Sequence, residues 1–137
     1  MFKVENEDLF GKPIYVYSRA QAIEDGVLID ITQMAKEAGF KIAVAVTHAV
    51  WNEYIDWTNE DSEKQTHQDL TGRLWDVLWM LHLACNRNFD EAYLNYRLHV
   101  IPRDGRSKKP RQIELKAVIG GGDNGEAVIT IMLPNED

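Results

Sequence analysis

The stretch GRLWDVLWMLHLAC, residues 72–85, most narrows what this chain can become. Leu70, Leu74, Val77, Leu78, Leu81 and Cys85 recur at the spacing of a single helical stripe. Trp75, Trp79 and His82 widen that stripe on one side, and Met80 and Leu83 on the other. A helix apolar nearly all round needs other elements packed about it. The pattern therefore predicts a central buried helix from about Asp69 to Arg87, with Asn86 as its C-terminal cap. Asp76 is the anomaly. A carboxylate among apolar neighbours must find a partner or take up a proton. Arg73 lies three residues before it and four after Asp69, so the three can share one side of the helix. The expectation is a structural ion pair or a hydrogen bond to a neighbouring backbone; the sharper alternative is a general base beside the tryptophans.

The flanking patterns differ in period. After residue 92, Leu94, Tyr96, Leu98 and Val100 alternate with Tyr93, Asn95, Arg97 and His99. That is a half-buried strand, Tyr93 to Ile101. Arg111 to Ile119 alternates again, and Glu126 to Leu133 forms the last strand after the turn GGGDNG. These three read as an antiparallel meander. Upstream, Ile14 to Tyr17 is β-prone, and Ser18 with Gln21 forms a capping box for a helix that stops at Gly26. Val27 to Ile29 runs briefly extended, and a second short helix ends near Gly39. Phe40 to Val46 fits strand or helix. His48 to Trp57 reads as a helix capped by Thr47, and Thr58 to Gln68 as a polar loop or the entry to the main helix. The expected fold is α+β in a single domain, residues 1–137. A helical N-terminal part with the central buried helix packs on a C-terminal three-stranded antiparallel meander.

Composition bounds the function. The chain has 137 residues, one cysteine and a net charge of −7. Residues 1–96 hold 8 Lys/Arg against 16 Asp/Glu, whereas residues 97–137 hold 7 against 6. An acidic body makes nucleic acid an unfavourable partner. The start carries no basic, then apolar, leader pattern, and no apolar run reaches the ~18 residues of a membrane span. With a lone Cys85, the expected compartment is the cytoplasm.

Several groups are candidates for chemistry. Arg19 and Asp76 are the candidate catalytic residues. The four tryptophans, Trp51, Trp57, Trp75 and Trp79, fit core packing better than an aromatic pocket, because they follow helical faces. His82 and Cys85 stand three apart, but no further ligand has metal-site spacing, so no metal is expected. GGGDNG lacks the Lys-Ser/Thr of a phosphate loop, and no cofactor motif is present. Arg103, Arg106, Lys108, Lys109 and Arg111 set five positive charges around Asp104 in one hairpin loop. With Arg97 and His99 on the polar sheet face, they form the expected binding surface for a protein partner. A homodimer is expected only where a tryptophan-bearing face is exposed.

IYVYSRAQAIEDGVLIDIT, AVTHAVWNEYI with GRLWDVLWML, and VIPRDGR with ELKAVIGGGDNGEAVITIMLPNED carry a resemblance. In this order they resemble an uncharacterised family of small proteins encoded by bacteria, plasmids and phages. The resemblance covers nearly the whole chain and imports no activity, cofactor or catalytic residue. It implies a prokaryotic setting and an accessory role, such as inhibiting a defence complex. The opening strand, Ser18 and the helix to Gly26 also resemble the start of ADP-ribosyltransferase-like enzymes, with Arg19 near the strand end. Their Ser-Thr-Ser and Glu elements are not recognisable here. Three function classes result: a non-enzymatic binding protein first, a small enzyme with an Arg/Asp/Trp cleft, and an acidic inhibitor of a nucleic-acid-binding complex. For the last, only Glu60, Asp61 and Glu63 offer a cluster of acids.

Overall fold

The computed structural model describes residues 17–86 and 92–137. The predicted strand Ile14 to Tyr17 lies almost wholly outside them, as does Arg87. Helix α1 (Arg19–Glu24) begins at Ser18, whose hydroxyl accepts from the Gln21 N–H while Gln21 caps Ser18 in return. Gly26, at φ +79°, turns the chain into strand β1 (Leu28–Asp30). Helix α2 (Thr32–Glu37) and strand β2 (Ala43–Thr47) follow. The ambiguous apolar run is thus a strand. Its Val44, Ala45 and Val46 are buried on both sides, which hides the alternation expected of a half-buried strand.

Between β2 and the central helix the sequence expectations need correction. The helix predicted for His48 to Trp57 is a short turn, α3 (His48–Val50), that widens into a π-helical stretch, Trp51–Ile55. The stretch read as a loop contains α4 (Asn59–Lys64), whose Thr58 and Asp61 cap each other. Asp61 fills the capping-box place usually taken by Glu or Gln, and α4 buries none of its residues, so apolar periodicity could not reveal it.

Helix α5 (Leu70–Cys85) is the helix that the apolar stripe predicts, capped by Asp69 through the Gly72 N–H. Val77, Leu78 and Leu81 are fully buried. Each such side chain contributes ~1.5–3 kcal/mol relative to exposure. The helix is not enclosed on all sides, however. Trp79 and Met80 are 39% and 36% exposed, and Asp76 is exposed beside them.

Strands β3 (Tyr93–Val100), β4 (Arg111–Gly121) and β5 (Ala127–Met132) pair antiparallel in succession. The expected three-stranded meander is nevertheless wrong as an account of the sheet. The sheet has five strands in the order β1-β2-β5-β4-β3 and is mixed. β2 runs parallel to β5, with Val44 opposite Ile129, and β1 adds antiparallel to β2. The last strand is therefore central, which its four buried residues reflect. One face, carrying Val44, Val46, Ile129, Ile131, Leu115 and Leu98, packs under α5. Alternate residues such as Thr130 face the other way, toward α1.

Candidate functional site

Arg19 and Asp76 stand on opposite sides of the sheet. Arg19 donates from Nη1 to Thr130 Oγ1 at 2.7 Å and from Nη2 to the Ile129 carbonyl at 2.8 Å. Its own N–H and that of Ala20 donate to the Asp123 carboxylate at 2.7 and 3.0 Å. The GGGDNG turn therefore supplies Asp123 as a clamp on the start of α1. Burial lowers the Arg19 pKa, with Asp30, Asp123 and Glu126 opposing that shift. Asp76 projects from the outer side of α5, across the sheet from α1. No cleft unites the two among the described residues.

The expected ion pair between Arg73 and Asp76 is absent as well. Arg73 is the buried member, at 5% exposure, and its guanidinium turns inward. Nε donates to the Ile55 carbonyl at 3.0 Å. Nη1 donates to Gln68 Oε1 at 2.6 Å and to the Ile101 carbonyl at 2.9 Å. The cation lies 4.3 Å from the centre of the Trp57 ring, and Nη2 has no partner. Burial pulls its pKa down to about 10. Asp76 is left outside, its carboxyl pushed up by partial burial, with Arg73 opposing that shift.

The tryptophans divide. Trp57 is buried and its indole N–H donates to Ser62 Oγ at 3.0 Å. Trp75 and Trp79 stack at 5.8 Å, and Trp79 stacks on His82 at 5.1 Å. Phe40 closes this row edge-on against His82. Gly39 makes room for it: its φ is +103°, and a Cβ there would lie 3.1 Å from His82 Cε1. Among the described residues no three His, Cys, Asp or Glu side chains are grouped to hold a metal ion. No helix among them is long and apolar enough to cross a membrane.

The hairpin loop between β3 and β4 is built, not loose. Gln65 is buried beneath it and donates to the carbonyls of Pro102 and Ser107 at 2.9 and 2.6 Å. In return its Oε1 accepts from the Gly105 N–H at 3.1 Å. Asp104 accepts from the N–H groups of Arg106 and Ser107 and from the Ser107 hydroxyl. The Ser107 side chain first, then those two N–H groups, hold the Asp104 carboxyl well below the usual range. Arg103 ties the loop to α4 and the π-helical stretch, 2.8 Å from Asp61 and 3.3 Å from Asp56.

The predicted binding residues are therefore sorted by the fold. Arg103 is consumed in ion pairs. Arg111 sits opposite Val100, on the α5 side of the sheet, near Tyr54. Arg97 and His99 lie on the open face, Arg97 at 3.7 Å from Glu114 in an exposed pair. Arg106, Lys108 and Lys109 remain exposed at the tip. Sequence reasoning missed Gln65 and the inward turn of Arg73. Gln65 sits in a polar run with no apolar period, so nothing local marks it as buried.

The arrangement defines an α+β domain with a five-stranded mixed sheet and a clamped basic hairpin. The chain belongs to the Family of unknown function (DUF6573), whose model matches residues 9–137. No curated protein and no solved structure matches it.

Proposed function

We propose that this chain is a non-enzymatic binding protein whose partner surface is the hairpin tip bearing Arg106, Lys108 and Lys109. The open sheet face with Arg97 and His99 flanks that surface. The observation that carries this reading is the clamping of the loop by Gln65, Arg73 and Arg103. A loop already held in one geometry loses little conformational freedom when it binds. Three cations on an otherwise acidic protein select an acidic segment of a partner protein by charge. The enzyme reading is weaker, because Arg19 is committed to β5 and lies across the sheet from Asp76. The acidic-inhibitor reading is weaker too. Asp61 is engaged by Arg103 and Thr58, and Glu60 pairs with Lys64 at 3.2 Å, so the Glu60, Asp61, Glu63 cluster does not form a free row of acids. The setting we infer is a bacterial or mobile-element one, with an accessory role.

The test is affinity capture from a lysate of the native host at low and high salt. Wild type is compared with the triple variant Arg106→Glu, Lys108→Glu, Lys109→Glu. A stoichiometric partner should be released by salt and lost in the variant, with the melting temperature unchanged. Equal capture by the folded variant would sink the reading.

A further inference from the structure

A depression of about 570 Å³ lies between the start of α5 and α2, within the ordinary size of a small-ligand site. α2 contributes Met34 and Glu37 to its wall, and the α5 side contributes Asp69, Gly72, Trp75 and Asp76. Trp75 supplies an aromatic surface and is only half-buried. Trp79 stacks on one side of its ring, 5.8 Å away and within 9° of parallel. The depression is bordered by Trp75 and not by Trp79, so it meets the ring away from that stack. Helical side chains lean over the turn that precedes them. The turn preceding Trp75 holds Gly72, which has no side chain to cover the ring.

The charge on the wall is one-sided. Glu37, Asp69 and Asp76 are exposed acids. Asp69 accepts from the Gly72 N–H, whereas Glu37 and Asp76 make no hydrogen bond or ion pair among the described residues. Two basic residues share the wall. The Arg73 guanidinium is buried and donates inward, to the Ile55 and Ile101 carbonyls and to Gln68. His67 is exposed; with histidine counted as neutral, three carboxylates stand against one guanidinium. Partial burial pushes the Asp76 carboxyl up despite Arg73, so the guanidinium does not neutralise that charge. A metal ion does not suit this wall. Among the described residues no three acids, histidines or cysteines are grouped to hold one, and an indole face offers no ligand atom.

We propose that this depression binds an organic ammonium ion, with its charge over the Trp75 ring and among the carboxylates of Glu37, Asp69 and Asp76. A cation over an aromatic face is attracted by the ring quadrupole, and indole is the strongest of the aromatic partners. The carbons that carry an ammonium charge need apolar neighbours, which the ring and Met34 supply; an unbranched thioether adapts to different shapes. Carboxylates spread over two helices give charge without a fixed coordination geometry, which suits a bulky, diffuse cation. A free alkylammonium compound and a lysine side chain of a partner protein, plain or methylated, offer the same chemistry. The site shares no wall residue with the hairpin tip and does not depend on that reading.

The test is a titration of the ¹⁵N-labelled full chain at constant ionic strength. The probes are choline chloride, its uncharged isostere 3,3-dimethylbutan-1-ol, and the acetylated peptide GGKGG with plain or trimethylated lysine. Amide shifts should concentrate at residues 34–37 and 67–76 and at the Trp75 indole N–H. At least one ammonium probe should saturate with a Kd below ~1 mM. The uncharged isostere should bind at least tenfold more weakly than choline. Trp75→Leu should weaken the tightest probe about tenfold. Asp76→Asn and Glu37→Gln, both at exposed positions, should each weaken it about threefold. A peptide tighter than choline supports the site and assigns it to a partner's lysine; the reverse order supports it and assigns it to a free ammonium compound. Four results would each overturn the proposal: no ammonium probe binding tighter than millimolar; the isostere binding as well as choline; shifts confined to other residues; or affinity unchanged in the double variant Glu37→Gln, Asp76→Asn.

Discussion

Arg73→Ala should be the most damaging single change beneath the hairpin. Truncation removes the donors to the Ile55 and Ile101 carbonyls, both of them buried bonds. Each orphaned carbonyl costs ~1–3 kcal/mol. Loss of the contact with the Trp57 ring adds ~1 kcal/mol. Against this stands the relief of a cation buried with no carboxylate touching it and with Nη2 unpartnered. That relief offsets ~1–2 kcal/mol. The net loss is ~1–6 kcal/mol, or a fall in Tm of ~3–24 °C for a domain of this size. Arg103→Ala breaks ion pairs that solvent partly reaches and should cost only ~1 kcal/mol. Arg73→Met restores volume without charge and should fall between the two. Thermal melts followed by circular dichroism, with urea titrations as a check, order the three variants. A Tm loss below ~3 °C for Arg73→Ala, or one no larger than that of Arg103→Ala, would refute the reasoning.

Three further outcomes follow from the same geometry. Asp104 has a lowered carboxyl pKa in the folded state, so its contribution is present above its unfolded value of ~3.9. It is lost as the pH falls through the folded value; amide exchange at residues 104–107 should therefore quicken in acid, and Asp104→Asn should make that exchange independent of pH in the same window once intrinsic rates are divided out. Gly39→Ala places a side chain at φ +103° and against His82, which should cost ~2 kcal/mol in urea denaturation; a neutral result would remove Gly39 from the aromatic row. Asp76→Asn should change stability by less than ~0.5 kcal/mol, because the carboxylate is exposed; a loss above ~2 kcal/mol would restore it as a structural anchor.

Local signals and long-range ones were unequally legible in the sequence. The Ser18–Gln21 box, the α5 stripe and the alternation of β3 depend on residues within a turn or two of each other. Each is readable because its period or spacing is set by local backbone geometry. The five-stranded sheet was not legible. Placing β5 between β2 and β4 joins residues such as Ala45 and Thr130 that are remote in the chain, and no local pattern encodes that pairing. The three residues of β1 are too few to show any period. Asp76 and Arg73 exchanged the roles expected of them for a related reason. Helical spacing shows that the two can meet, but not that Ile55, Gln68 and Ile101 offer Arg73 a better set of acceptors. The basic loop was visible as composition. Its division into a clamping Arg103 and a free tip depends on Asp56 and Asp61, more than forty residues upstream.

The claim at the centre is that the hairpin is held rigid from below, so that Arg106, Lys108 and Lys109 are presented in one arrangement. Backbone ¹⁵N relaxation of the free protein measures this directly. Order parameters through residues 103–107 should be ~0.85, as in the strands on either side, and should fall in Arg73→Ala. Values below ~0.6 in the wild-type loop would contradict the account.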